Sequence, residues 1–218
     1  MNRHVVITAL IALALVCLAK KDMYSQELST SINFALYNQN DNLDDGGGYE
    51  AAVNFKINKY PLVLRLMFCQ FWAIPIPYPL PITEVETMGY SFEPALLFRF
   101  DFGTRPDLGP VLQPYVGIAF GLHEFPRAIN YIDTLIIRKD KIQNIKTPVF
   151  IFGTNVTFTP RLSLNLNCRY SMLKPDVNYY FLERSTGDIE EMTDKIKLET
   201  LYFSIGLRFH IFKNPRFR

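Results

Sequence analysis

Tryptophan occurs once in this chain, histidine three times and cysteine three times. So few metal-binding and redox side chains argue against a zinc ribbon or a disulfide-stapled scaffold, and no Cys/His cluster has metal-ligand spacing. An excess of one charge is lacking too. The 23 Lys and Arg face 21 Asp and Glu, a formal net of +2, without the basic patch that nucleic acid requires. Glycine and proline number only 11 and 14 among 218 residues, so collagen-like and low-complexity readings fail. Beyond the N-terminus no segment suits a membrane helix. The most apolar, Pro61–Ile82, carries Arg65 and Pro75, Pro77, Pro79 and Pro81, and each proline removes a donor and clashes inside a helix.

What is present begins with an export pattern. The chain opens Met1-Asn2-Arg3-His4, continues with the apolar run Val5–Ala19 and then reads Lys20-Lys21. A basic start and an apolar core of this length match a secretory signal peptide, whereas a spanning helix needs about 20 apolar residues. We expect residues 1–25 to be that signal, cleaved after Ala19 or after Ser25. An uncleaved anchor helix is the rival. Lipidation at Cys17 is opposed by the bulk of Val16.

Eight stretches of alternating apolar and polar residues fill the rest. In the clearest, Leu162–Ser171, Leu162, Leu164, Leu166, Cys168 and Tyr170 interleave with Ser163, Asn165, Asn167, Arg169 and Ser171. Successive strand side chains point to opposite faces, so this stretch has one oily face and one wet face. The others are Leu28–Tyr37, Tyr49–Asn58, Leu62–Trp72, Thr87–Asp101, Val111–Leu122, Val149–Phe158 and Leu198–Phe212. Outward sets such as Leu201, Phe203, Ile205, Leu207, Phe209 and Ile211 hold no charge, and Phe outnumbers Trp 18 to 1. A soluble barrel would be apolar inside and polar outside. Only helices and closed barrels satisfy every backbone group in lipid. The pattern therefore predicts an all-β fold, an eight-stranded antiparallel up-and-down transmembrane β-barrel over residues 26–212, with a short periplasmic tail at 213–218. Cys69 and Cys168 have opposite parity, so no disulfide is expected between them.

Connections at 59–61, 102–110 and 159–161 are compact, while those at 38–48, 73–86, 123–148 and 172–197 are longer. Outer-membrane barrels keep short turns in the periplasm and long loops outside. Both chain ends then fall on the periplasmic side. The two longest loops contain strand-like segments, Thr134–Arg138 and Val177–Leu182, which predict hairpins rising above the membrane.

Some segments go beyond alternation. Pro114-Tyr115-Val116-Gly117-Ile118-Ala119-Phe120-Gly121 resembles the fifth strand of small outer-membrane barrels of the outer-membrane protein A and W type. Gly153 through Tyr170, with the Phe158-Thr159-Pro160-Arg161 turn, is similar to their sixth and seventh strands, and Ser204-Ile205-Gly206-Leu207-Arg208-Phe209 to their last. The likeness covers roughly the C-terminal half. It implies an outer-membrane location in a Gram-negative bacterium, and its members differ too much to transfer one function. Members whose barrel ends the chain usually finish on an aromatic residue, but here Phe212 precedes Lys213-Asn214-Pro215-Arg216-Phe217-Arg218.

Chemistry is sparse. His123 lacks the nearby Ser of a lipid A deacylase-like pair and reads as a rim residue, and His210 reads as an inward residue near the periplasmic mouth. Asp41, Asp44 and Asp45 lack the spacing of a calcium loop. Seven inward charges form a candidate lumen network: Lys56, Arg65, Glu93, Arg99, Asp101, Arg169 and Arg208. Eight strands enclose space just wide enough for side chains, so these charges must pair. We expect Glu93 and Asp101 to bridge adjacent arginines and plug the lumen. A gate whose pairs exchange is the functional alternative. Between Ile74 and Ile82 alternate prolines stiffen a loop whose apolar Ile76, Tyr78 and Leu80 suit either the outer leaflet or a protein partner. Taken together, these features suggest a non-enzymatic structural element or docking platform working through its extracellular loops. A narrow conduit for small apolar or ionic solutes is the alternative, and a lipid-modifying enzyme comes third. No cofactor is expected; the expected partners are outer-membrane lipid, the outer-membrane assembly machinery and a protein at the loops.

Overall fold

The computed structural model describes residues 26–39, 46–57, 60–72, 88–100, 102, 111–125, 129–132, 136–174, 176–183, 186–187, 189–195 and 198–212. Residues 1–25, the tail 213–218 and the loop bearing Ile76, Tyr78 and Leu80 lie outside them, as do Asp101 and the aspartates 41, 44 and 45. Among the described residues no helix is long and apolar enough to cross a membrane.

Among the described residues, twelve strands follow one another: β1 (Gln26–Gln39), β2 (Gly46–Ile57), β3 (Leu62–Trp72), β4 (Met88–Arg99), β5 (Val111–Glu124), β6 (Ile129–Ile132), β7 (Ile136–Ile142), β8 (Ile145–Thr157), β9 (Leu162–Leu173), β10 (Asp176–Glu183), β11 (Ile189–Lys195) and β12 (Leu198–Phe212). Eight of them close a barrel in the order β1-β12-β9-β8-β5-β4-β3-β2. Every neighbouring pair is antiparallel, including the closing pair β1–β12. This is the transmembrane β-barrel fold that the alternation predicts.

Closure sets a stagger. Following register partners from Ser29 through Asn54, Arg65, Ala95, Ala119, Val149, Ser171 and Thr200 returns to β1 at Gln39, ten residues beyond the start. Eight strands with such a shear tilt by about 35–45° and leave an interior that side chains fill. Period two then sorts the wall. Ile32 is 65% exposed and Ile118 59%, while Ser29, Ser31 and Asn33 are buried inside. An apolar outer wall around a polar core is the inverse of a soluble domain.

Prolines are absorbed without breaking the barrel. The sequence reading starts the sixth barrel strand after Pro148, yet β8 begins earlier, at Ile145. Pro148 opposes Phe120 on β5, and pairing with β9 starts only at Val149. Thr147 Oγ1 donates to Met172 O at 3.0 Å, so a side chain bonds across to β9 just before the donor-free proline. Other strands also run past their expected ends, because pairing continues wherever a neighbour offers backbone groups. At one end, the turn between β8 and β9 is held by Thr159 Oγ1, which accepts from the backbone N–H groups of Arg161 and Leu162.

The two longest connections do more than form separate hairpins. Strands β6, β7, β10 and β11 make a second sheet in the order β11-β10-β7-β6. Its centre is the antiparallel pair β7–β10, from Val177↔Ile142 to Glu183↔Ile136. Two hairpins distant in sequence thus become one four-stranded sheet at the long-loop end, with β6 and β11 as its edges.

Candidate functional site

The lumen concentrates the polar chemistry. Because parity sends every second residue inward, the buried polar set includes Glu27, Glu50, Lys56, Arg65, Glu93, Arg99, Arg169 and Arg208. Strand stagger sorts these charges into two tiers separated by a belt of amides.

In the tier nearer the long loops, Arg169 on β9 is 1% exposed and lies between two carboxylates. Its Nη2 pairs with Glu50 Oε1, and its Nη1 pairs with Glu93 Oε2 at 2.5 Å. Nη1 also lies 3.4 Å from Cys69 Sγ, and the guanidinium sits 4.7 Å over the Tyr202 ring. Ser204 Oγ and Asn33 Nδ2 donate to Glu50 Oε2 at 2.8 and 3.1 Å, and Ser91 Oγ donates to Glu93 Oε1 at 2.8 Å. Charges on three strands are thereby locked in one cluster.

The amide belt crosses below. Asn33 Nδ2 donates to Asn165 Oδ1 at 3.2 Å. Asn165 Nδ2 donates in turn to Asn155 Oδ1 at 2.8 Å and to Tyr115 Oη at 2.9 Å. Tyr115 reaches into the lumen beside its register partner Gly153, where an added Cβ would lie 2.7 Å from Tyr115 Cζ. Glycine there leaves the space that the ring fills.

The tier nearer the short turns is richer in cations. Arg99 on β4 grips Glu27 on β1 with two bonds, of 3.1 and 2.7 Å. Glu27 Oε1 also lies 3.0 Å from His210 Nδ1. His210 Nε2 lies 2.8 Å from Ser163 Oγ, which is 2.9 Å from Thr157 Oγ1. Arg208 Nε donates to Ser29 Oγ, and Arg65 Nε to Asn54 Oδ1, both at 2.8 Å. The Arg65 guanidinium stacks 4.8 Å from the Tyr115 ring centre.

Ser163, His210 and Glu27 follow the hydrogen-bond order of a hydrolytic triad. Their surroundings give that order another use. Ser163 is 0% exposed and shares its hydroxyl with Thr157, while Glu27 is committed to Arg99. A nucleophile needs an open approach and donors for an oxyanion. Here the three residues tie β1, β9 and β12 together.

Six of the seven charges singled out in the sequence lie in the lumen; Asp101 is outside the described residues. Sequence reasoning missed two acidic partners. Glu27 precedes the expected start of the first strand, although its parity with Ser29 and Ser31 was the signal that would have included it. Glu50 shares the inward parity of Lys56 on the second expected strand but is not among the seven, because nothing local shows that Arg169 will meet it. His123 corrects the rim reading: β5 continues to Glu124, and His123 is buried at 2% exposure. Cys69 and Cys168 are free thiols, the first beside Arg169 and the second on the outer wall. That wall carries a cavity of about 590 Å³ lined by residues including Leu36, Val116, Phe152, Cys168, Phe203 and Ile205. Among the described residues no cluster of His, Cys, Asp and Glu could hold a metal ion.

No protein-family model and no curated protein matches this sequence. Solved structures match the fold. The outer membrane protein OprG from Pseudomonas aeruginosa aligns with a TM-score of 0.59 and 11% identity, over 87% of this chain and 97% of that one. A major outer membrane protein from Thermus thermophilus aligns at 0.54 and 15% identity, over 84% and 99%. Neisserial surface protein A aligns at 0.51 and 16% identity, over 85% and 96%. Taken with the closed order of its strands and its apolar outer wall, the chain has the fold of the small eight-stranded outer-membrane β-barrels.

Proposed function

We propose that this protein is a non-enzymatic outer-membrane β-barrel of a Gram-negative bacterium, and that it works as a docking platform through its extracellular loops. The apolar belt suits acyl chains, and the fold likeness supports the location. Short turns then face the periplasm and the long connections face outward. The observation that carries the reading is the second sheet. Strands β6 and β11 end it on either side, and an edge strand offers unpaired N–H and C=O groups to another chain. The lumen supports a plug rather than a path, because Arg169, Glu50 and Glu93 cross it in one ion-paired cluster.

Two measurements test this. A photo-crosslinking residue at exposed Glu191 on β11, expressed in intact cells, is expected to capture protein, whereas one at lipid-facing Ile118 captures lipid. Lipid alone at both positions would sink the platform. In planar bilayers the purified barrel is expected to show no discrete conductance; steady channels would favour the conduit instead.

A further inference from the structure

Among the described residues, the short-turn tier holds more cations than carboxylates. Four buried cations, Lys56, Arg65, Arg99 and Arg208, share it with one described carboxylate, Glu27. Glu27 is already engaged, with both oxygens on Arg99 and one also on His210. It also stands opposite Lys56 in the β1–β2 register.

Arg65 and Arg208 are the exposed point in that balance. Each is 2% exposed to solvent, and each spends only its Nε on a neutral acceptor, Asn54 Oδ1 and Ser29 Oγ respectively. Among the described residues neither has a carboxylate within ion-pair distance, and the Nη groups of both lack a hydrogen-bond acceptor. The two side chains also converge. Asn54 and Ser29 are direct register partners on β2 and β1, so Arg65 from β3 and Arg208 from β12 lean over the same pair from opposite sides. Arg65, Arg99 and Arg208 carry like charge in this tier, with Glu27 the described carboxylate among them. Two buried guanidinium groups held on neighbouring neutral acceptors are unfavourable without a counter-charge, since an uncompensated buried charge costs several kcal/mol.

We infer that the periplasmic half of the lumen binds a small inorganic oxyanion between Arg65 and Arg208. A tetrahedral oxyanion accepts from two forks at once, because each guanidinium presents paired N–H donors at the spacing of two of its oxygens. Tyr115 covers one side of Arg65 and fixes its plane. The Ser29–Asn54 pair holds both Nε groups, so the Nη donors are preorganised. The site depends on the barrel alone and not on the loop sheet, so it stands or falls separately from the docking role.

The test uses the full chain, refolded from denaturant into detergent micelles in a zwitterionic sulfonate buffer, with inorganic phosphate as the probe. Phosphate is expected to raise the melting temperature with a saturating dose response, and chloride at matched ionic strength is expected to do much less. Arg65→Gln and Arg208→Gln should each weaken apparent phosphate affinity by roughly tenfold, and the double variant should abolish the response. Without phosphate, Arg208→Gln is expected to melt higher than the parent, since it relieves repulsion. Arg65→Lys keeps the charge but loses the fork, and should weaken phosphate more than it weakens chloride. Equal stabilisation by chloride and phosphate, or an undiminished phosphate response in a folded double variant, would overturn the site.

Discussion

Glu27 Oε1 lies 3.0 Å from His210 Nδ1 across the seam where β1 and β12 close the barrel. The same carboxylate holds Arg99 with two bonds, so one residue near the start of the barrel ties its ends together and neutralises a buried cation. Glu27→Gln removes that charge and leaves Arg99 facing an amide. Breaking one side of a buried pair costs about 3–5 kcal/mol. We expect a loss of that size in the unfolding free energy in urea, followed by the fluorescence of Trp72, the single tryptophan.

Arg169 makes a sharper test because it serves two carboxylates. Arg169→Met strands Glu50 and Glu93 together in the lumen and is expected to destabilise by about 3–5 kcal/mol. Adding Glu50→Gln and Glu93→Gln should restore most of the loss, since replacing a whole buried ionic cluster is often close to neutral. A triple variant no more stable than Arg169→Met would show that the cluster acts by packing alone.

Gly153 has a different task. An added Cβ would lie 2.6 Å from Tyr115 Oη and close to Leu166 O, and Tyr115 anchors both Asn165 and the stacked Arg65. Gly153→Ala is expected to cost about 1–3 kcal/mol by overpacking. Gly153→Ala with Tyr115→Phe should remain destabilised, because the ring rather than the hydroxyl alone occupies the space. Equilibrium unfolding of the two variants separates these contributions.

His123 should behave in the opposite way. It is buried, and neither ring nitrogen has a hydrogen-bond partner among the described residues. An unsatisfied buried polar group costs about 1–3 kcal/mol. His123→Phe is therefore expected to leave stability unchanged or raise it, read as a higher urea midpoint with an unchanged slope.

Much of the wall was legible in advance. Leu162–Ser171 announced its two faces, and the third and eighth expected strands, Leu62–Trp72 and Leu198–Phe212, coincide with β3 and β12. Strand ends were less legible. Pro148 reads locally as a stop, but β5 supplies a partner on one side and Thr147 bonds to β9 on the other. The joined loop sheet was not visible at all, since the residues of β7 and β10 look like members of independent hairpins until the barrel brings them side by side.

What the sequence determined by itself is parity. A strand's side chains alternate whatever its neighbours do, so Arg65, Arg169 and Arg208 were bound to point inward once Leu64, Leu166 and Leu207 pointed out. What only the tertiary structure decided is partnership. The ten-residue stagger of closure brings Arg169 to Glu50, Arg99 to Glu27 and Asn33 to Asn165, pairs remote in the chain and invisible to any local pattern. The same closure leaves Arg65 and Arg208 donating to Asn54 and Ser29, which are direct register partners. Alternation is a property of one strand, whereas charge balance in a lumen belongs to all eight.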